Sequence, residues 1–187
     1  DLSGLDLTGA DLTGAQLQKT LFAGTRLDKA NLTQVIALEA DFTSASLRGA
    51  TLDRGILNKA KMKGVDLGGA RLKQVVVKDA DLSGADFSGA DLEMVTLQKC
   101  KLPGLKMSGT RAYLSIIEGD ATGSVFTGAK FNKCILRKIV LDGADFSVAA
   151  LNSTLFMDAR GSGVTFAGAN LDKLRMGKGT VMAGADF

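Results

Sequence analysis

The sequence lacks histidine and tryptophan entirely, and its 187 residues include one proline, one tyrosine and two cysteines. Without histidine, a hydrolytic triad loses its usual base and a metal site loses its commonest ligand. Two cysteines are too few for a disulfide scaffold. We therefore expect no enzymatic activity in this chain, and we assign no catalytic, metal-binding or cofactor-binding residues.

A strong charge of one sign is also missing, because 23 basic and 20 acidic side chains leave a net charge of +3. This excess is too small to predict nucleic-acid binding. Apolar runs of about 18 residues, the length that a transmembrane helix requires, are absent as well. The sequence therefore predicts neither a nucleic-acid partner nor a membrane span.

What the sequence has is a period of five residues. Every fifth position from Leu2 to Met107, here called the centre position, holds Leu, Phe or Met, except at Ala37 and Val77. The residue two before each centre is small or aliphatic, and glycine is common two after it. A period of five fits neither an α-helix nor a β-strand. It predicts a coil in which two of every five residues point inward and three point outward.

Five segments show the pattern of this repeat most clearly: Ala10-Asp11-Leu12-Thr13-Gly14, Ala30-Asn31-Leu32, Ala80-Asp81-Leu82-Ser83-Gly84, Ala85-Asp86-Phe87-Ser88-Gly89 and Ala169-Asn170-Leu171. In these segments the chain resembles the pentapeptide-repeat family, whose pattern is A-(D/N)-L-x-x. The resemblance covers the chain except about 108–125. It implies an all-β fold, a right-handed quadrilateral parallel β-helix with four pentapeptides per coil. At 20 residues per coil, we expect one domain over 1–187 with about nine coils.

The register breaks within 108–125 and resumes one residue out of phase at Phe126. A four-residue insertion near Glu118–Gly123 would place Phe126 above Leu102, and this is the arrangement that we predict. The alternative is a one-residue deletion that places Phe126 above Met107. The predicted inward column contains Leu2, Phe22, Phe42, Met62, Leu82, Leu102, Phe126, Phe146, Phe166 and, after one inserted residue near Met182, Phe187.

Residues with reactive side chains are explained by the repeat. Aspartates such as Asp81 and Asp86 stand one before a centre, at the ordinary Asp/Asn position of the family. Cys100 and Cys134 stand two before a centre, where a small buried residue is expected. Gly161 occupies a centre position, which predicts either a loosened coil or an irregular register there.

The fourth pentapeptide of each coil, which forms the fourth face, departs from the family pattern. Its outward positions hold β-branched aliphatic residues where the family has polar ones. An exposed apolar patch usually marks an interface. Two alternatives are that a flanking segment covers this side, or that β-branched residues simply suit a strand-like backbone. The candidate partner surface contains, on the fourth face, Ile36, Ile56, Val76, Ile116 and Val140. The preceding face adds, near the same corner, Met94, Tyr113, Leu114, Ile135, Leu155 and Met157.

Basic residues are expected to gather on the third face and its edges, where we interpret them as a solvated surface. They are Arg54, Arg71, Lys73, Arg111, Arg137, Lys138, Arg175 and Lys178.

The predicted function is a non-catalytic rigid scaffold or interaction module that binds a protein partner, or a second copy, through the apolar side. The resemblance also suggests a DNA-mimic inhibitor or protector of a type II topoisomerase, which the net charge of +3 disfavours. A third possibility is structural support for a catalytic domain elsewhere. The chain begins and ends in repeat sequence, so we expect a segment of a larger protein or end-to-end stacking. A cytoplasmic location is favoured, and a secreted bacterial protein or the thylakoid lumen is compatible.

Overall fold

A computed structural model describes residues 1–187 as a parallel β-helix without α-helices, which confirms the predicted fold class. Each coil takes 20 residues through most of the chain, so that residue i bridges residue i+20 in parallel. On one side of the rod, nine successive bridges connect Asp6 to Asp186. The four sides are named faces 1 to 4, and their first inward centre residues are Leu2, Leu7, Leu12 and Leu17.

Each pentapeptide makes one side because its polar groups are satisfied in a fixed order. The backbone N–H of a centre residue such as Leu12 donates to the next coil, here to the carbonyl oxygen of Asn31 at 2.8 Å. The carboxylate of Asp11, one before the centre, accepts the backbone N–H of Thr13 at 3.0 Å. The turn ends on a residue with φ near +60°, such as Gly14 at 67°. Glycine suits this corner because it has no Cβ to resist a left-handed backbone.

Thirteen short strands are regular enough to be assigned, and they form two sheets on adjacent faces. The sheet on face 3 contains β1 (Arg71–Lys73), β3 (Asp91–Glu93), β5 (Arg111–Tyr113), β7 (Lys130–Asn132) and β9 (Ala150–Asn152). The second sheet begins on face 4 and continues around the corner onto face 1. It contains β2 (Val76–Lys78), β4 (Thr96–Lys101), β6 (Ile116–Asp120), β8 (Ile135–Val140), β10 (Leu155–Met157), β11 (Arg160–Ser162), β12 (Arg175–Met176) and β13 (Val181–Ala183).

The register break is a one-residue deletion, so the predicted inward column is wrong above Leu102. The bridge partner of Lys101 is Asp120, and that of Lys106 is Val125, a spacing of 19 residues in both cases. Ala121 therefore follows Leu102 on face 1, whereas Phe126 lies above Met107 on face 2. The four-residue insertion does not exist, and the shift lies between Ile117 and Gly119.

Three residues make the short coil possible. Gly119 has φ of 142°, and a Cβ atom there would overlap the carbonyl oxygen of Cys100. Ile139, fully buried, pairs with Gly119 from the next coil and occupies a position that alanine fills in many other coils. Glu118 lies inside the deletion with its side chain 9% exposed, and its Oε2 accepts a hydrogen bond of 3.1 Å from Arg137 Nε. A paired carboxylate thus fills the shortened corner.

Face 2 contains the aromatic column that results from this register. Phe126 and Phe146 stack with ring centroids 4.3 Å apart, and Phe166 follows at 5.2 Å from Phe146. Phe187 stacks on Phe166 at 5.0 Å, because one extra residue enters the last coil and Arg160 pairs with Val181. The expected late insertion is therefore confirmed.

Gly161 pairs with Met182 in the following coil, 21 residues on, while its neighbour Arg160 keeps the usual spacing of 20 from Val140 in the preceding coil. A Cβ atom at this position would lie 2.6 Å from Val164 Cγ2. The neighbouring valine therefore fills the space that a larger centre residue would need, and the coil is not loosened.

Candidate functional site

An uninterrupted column of outward residues on face 4 forms an apolar stripe. Successive parallel pairs connect every member of the column, from Gln16 at one end to Arg175 at the other. Six of the seven residues between these polar ends are aliphatic, and the seventh is Thr96. The apolar stripe contains Ile36, Ile56, Val76, Thr96, Ile116, Ile135 and Leu155.

The deletion changes which predicted residues belong together. Val140 pairs with Asp120 and Arg160 on face 1, so its assignment to the same column as Ile116 is wrong. Ile135 and Leu155 take that place instead, because the shortened coil brings them into line with Ile116. Met157 follows the buried Phe156 and flanks the stripe on face 4, rather than on the preceding face where the predicted register placed it.

Sequence reasoning missed Leu38, which is half-buried and directly follows the inward Ala37. It stands two residues after Ile36, in the relation that Met157 has to Leu155. Applying that relation to every coil of face 4 would have found it. The stripe is therefore two residues wide near each end.

The corner between faces 3 and 4 adds three exposed apolar side chains. Met94 and Leu114 are each 43% exposed, and Tyr113 is 40% exposed. The backbone of Met94 has φ of 57° and that of Leu114 has φ of 51°, a left-handed conformation that costs a side chain about 1 kcal/mol or more. Elsewhere, non-glycine residues with positive φ are polar or charged, except Val148. Two strained apolar side chains in successive coils beside a tyrosine therefore form the most unusual cluster on the surface.

Charge is polarised across the rod. Three columns flank the stripe: the two corners of face 4 and the position after each face 4 centre. Together they contain ten basic and four acidic residues, a net charge of +6. The opposite face 2 carries six acidic and three basic residues at its outward strand positions, a net of −3. Its acidic residues are Asp6, Asp28, Asp66, Asp86, Asp145 and Asp186. The flanking basic residues are Lys19, Arg54, Lys59, Lys78, Lys99, Lys133, Arg137, Lys138, Lys173 and Lys178.

Face 3 has a shallow groove of about 440 Å³, which Tyr113 borders at its edge with face 4. Its cations are largely neutralised. Arg111 forms two hydrogen bonds with Asp91, at 2.9 and 3.1 Å, and Lys73 Nζ lies 2.9 Å from Glu93. The predicted basic surface on face 3 is accordingly divided, because the deletion places Arg137, Lys138 and Lys178 beside the stripe on face 4 and Arg175 at the end of its column.

Aspartates one before a centre form local hydrogen bonds. The side-chain hydroxyl of Ser83 holds the pKa of Asp81 below its usual value, and the Ser147 hydroxyl does the same for Asp145. The hydroxyl of Thr43 likewise lowers the pKa of Asp41. These carboxylates remain charged and stabilise their turns.

The two cysteines are free and buried, as expected for small inward residues. Burial raises the pKa of both thiols, Cys100 and Cys134. The thiols therefore stay protonated and inert at neutral pH. No group of three or more His, Cys, Asp or Glu side chains is placed to hold a metal ion. No helix is long and apolar enough to cross a membrane.

Comparisons with known proteins agree with this geometry. The family profile described as "Pentapeptide repeats" matches eight copies, over residues 1–36, 38–74, 78–111 and 122–156. HetL from the cyanobacterium Nostoc sp. strain PCC 7120, a pentapeptide-repeat protein involved in heterocyst differentiation regulation, is similar with 29% identity and a TM-score of 0.60. That similarity covers 95% of this chain and 86% of HetL.

QnrB1, a plasmid-mediated fluoroquinolone resistance protein, has a TM-score of 0.62 in the structure of a trypsin-treated variant. It shares 17% identity, over 97% of this chain and 88% of that one, which indicates the fold alone. Among curated proteins no significant match was found. The repeat profile spans most of the sequence, and the chain belongs to the pentapeptide-repeat family.

Proposed function

We propose that this chain is a non-catalytic scaffold that binds a protein partner through the apolar stripe on face 4 and the adjoining corner. The observation that carries the proposal is the continuous stripe from Ile36 to Leu155, which runs beside the strained apolar corner residues Met94 and Leu114. Exposed apolar side chains on a strained backbone cost stability, and interfaces are enriched in Tyr and Met. A rigid rod also presents such a surface without an ordering cost on binding.

Charge argues for a different protein as the partner. Two copies joined symmetrically through face 4 would bring two surfaces of net charge +6 together. The acidic face 2 of a second copy offers no apolar column to match the stripe, since its outward positions hold a single valine, Val125. A DNA-mimic inhibitor of a topoisomerase is the weaker alternative, because arginines and lysines interrupt the acidic face.

Site-specific photocrosslinking in the native host tests the proposal. A photoreactive phenylalanine analogue replaces Ile56 or Ile116 on the stripe, and Ser46 or Ser88 on face 2 serves as the control position. The stripe positions should yield a defined adduct that the face 2 positions do not. The purified partner should then lose at least about tenfold in affinity for the triple variant Ile56→Thr, Val76→Thr, Ile116→Thr.

Threonine keeps the β-branch and suits the strand-like backbone, so the variant should stay folded. Circular dichroism and the denaturation midpoint check this. Equal adducts from both faces, or unchanged partner affinity in a folded triple variant, would exclude the stripe as a binding surface. A shift of the wild-type sedimentation coefficient with concentration, abolished in the triple variant, would instead favour self-association.

A further inference from the structure

We infer that the partner presents an amphipathic α-helix whose apolar face is bordered by acidic residues. This inference rests on the proposed binding role of the stripe and specifies the chemistry of what binds there. Three features of face 4 support it: a backbone that is already paired, the length and spacing of the stripe, and the basic columns on both sides.

The first feature is that the backbone ladder of face 4 is already paired within the rod at the stripe and centre positions. The N–H of Ile56 donates to the Val35 carbonyl in the preceding coil at 2.9 Å. The N–H of Leu57 donates to the Val76 carbonyl in the following coil, also at 2.9 Å. An extended segment lying on the stripe would find no open strand ladder to pair with, and its own N–H and C=O groups would be buried unpaired. A helix satisfies its backbone internally, so it can bury an apolar side on this face without that cost.

The second feature is spacing. Six coil steps separate Ile36 from Leu155, about 29 Å at a strand spacing of about 4.8 Å. A helix of about 19 residues spans the same length. One helical turn rises about 5.4 Å, close to the coil spacing of about 4.8 Å, so a helix lying along the rod would place nearly one apolar turn on each coil. A helix with an apolar side chain in each turn could therefore contact one stripe residue in each coil.

The third feature is charge on both sides of the stripe. The corner between faces 3 and 4 carries Arg54, Lys133 and Lys173, and no acidic residue. The columns after the stripe carry seven basic and four acidic residues, and one of the four, Glu118, is buried against Arg137. Glutamates and aspartates bordering the apolar face of a helix would therefore meet lysines and arginines along both edges. The acidic face 2 on the opposite side would orient an approaching acidic partner toward face 4.

A peptide panel tests this inference with the 187-residue chain. The probe is a fluorescein-labelled helical peptide of about 20 residues with leucines along one side and glutamates bordering them. Matched probes carry lysines in place of the glutamates, or two central prolines that break the helix. A DNA duplex of equal charge is the fourth probe. Binding is followed by fluorescence anisotropy at low salt, and helix formation by circular dichroism.

The acidic helical peptide should bind at least about tenfold more tightly than the lysine-bordered or proline-broken peptides. The double variant Lys59→Glu, Lys78→Glu should weaken it about tenfold, as should the triple stripe variant. Lys29→Glu, at the corner between faces 2 and 3, changes the charge as much as Lys59→Glu alone. Lys59→Glu should weaken binding, whereas Lys29→Glu should leave it unchanged.

Each other outcome has a defined meaning. Equal binding of acidic and basic helices would overturn the charge argument, and equal binding of the proline-broken peptide would overturn the helix. If the DNA duplex binds more tightly than the peptides, and binds the triple stripe variant as well as the wild type, the surface binds nucleic acid instead. If photocrosslinking identifies a partner on the stripe while the acidic helix shows no preference, this inference fails and the proposed function stands. If photocrosslinking finds no partner on the stripe and the acidic helix shows no preference, both the proposed function and this inference fail.

Discussion

Gly119 lies so close to Cys100 of the preceding coil that a Cβ atom at position 119 would overlap the Cys100 carbonyl oxygen. This contact exists because the coil is one residue short, so Glu118 alone stands opposite Gln98 and Lys99. After the deletion, each residue occupies the position on the coil that counting in fives would assign to the next residue. It brings Ile135 and Leu155 onto face 4 and Phe126 onto face 2. One glycine therefore determines the continuity of both the apolar stripe and the aromatic column.

Gly119→Ala should destabilise the protein by about 3 kcal/mol or more, because a Cβ atom there must displace backbone. The matched control is Gly109→Ala, where φ is 65° and no atom lies within 4 Å of the added Cβ. That control should cost about 1 kcal/mol, the penalty of a left-handed alanine. Urea denaturation followed by circular dichroism measures both. Equal midpoints for the two variants would show that the close approach does not control stability.

The five-residue period predicts most of the fold, because an apolar centre residue recurs at every fifth position up to Met107 and must be buried. The period cannot decide the placement of Phe126. An insertion of four residues and a deletion of one both restore a phenylalanine to a centre position. What decides between them is backbone packing at Gly119 and the volume of Ile139, and neither is visible in a one-dimensional pattern.

The same ambiguity limits the candidate site. The period places Ile36, Ile56, Val76 and Ile116 correctly on one column because they precede the deletion, whereas it misplaces Val140, which follows the deletion. The polarisation of charge is hidden for the same reason. Arg137 and Lys138 join the border of the stripe only when the coil is one residue short. Position around the rod is therefore readable from the sequence before the deletion, but not after it.

Two buried threonines at equivalent positions of the repeat differ in their hydrogen bonds. Thr110 Oγ1 donates to the Phe87 carbonyl at 2.7 Å, whereas Thr154 Oγ1 has no partner. Thr154→Val should therefore be neutral or stabilising by up to about 1 kcal/mol, because it removes an unpaired buried hydroxyl. Thr110→Val should cost about 1 kcal/mol. Denaturation midpoints give the comparison, and a loss of stability in Thr154→Val as large as in Thr110→Val would contradict it.

Acid should destabilise the rod through aspartates whose native pKa is lowered by hydroxyl hydrogen bonds, among them Asp41, Asp81 and Asp145. A lowered native pKa means that the unfolded chain binds more protons. The stabilisation is therefore present above the unfolded value of about 3.9 and is lost as the pH falls through the native value. Urea midpoints should drop progressively as the pH falls from about 5 to 2.

Replacing these three aspartates by asparagine should flatten that pH dependence. Asparagine keeps the turn, since Asn31 Oδ1 already accepts the backbone N–H of Thr33 at 3.1 Å. The amide does not titrate, so the proton-linked part of the stability disappears. Wild type and triple variant should differ most at neutral pH and converge in acid. Parallel curves over the whole range would mean that other carboxylates control acid unfolding.

We expect the Leu114 side chain to lower the stability of the fold and to contribute to partner binding. With φ of 51° and 43% exposure, its side chain strains the backbone and leaves apolar surface in water. Leu114→Asn should be neutral or stabilising by up to about 1 kcal/mol, because asparagine tolerates the left-handed region. The same variant should weaken binding of the acidic helical peptide by about tenfold, since an interface anchor is lost.

The control for Leu114 is Gln74, which occupies the same corner column with φ of 57°. Gln74→Asn should change stability in the same direction and leave peptide binding unaltered, because it removes no apolar surface. Denaturation and anisotropy on the same preparations separate the two effects. A Leu114→Asn protein that loses stability and keeps its affinity would mean that the leucine serves the fold. Retained stability with lost affinity would identify the corner as a binding element whose strain persists because a partner uses it.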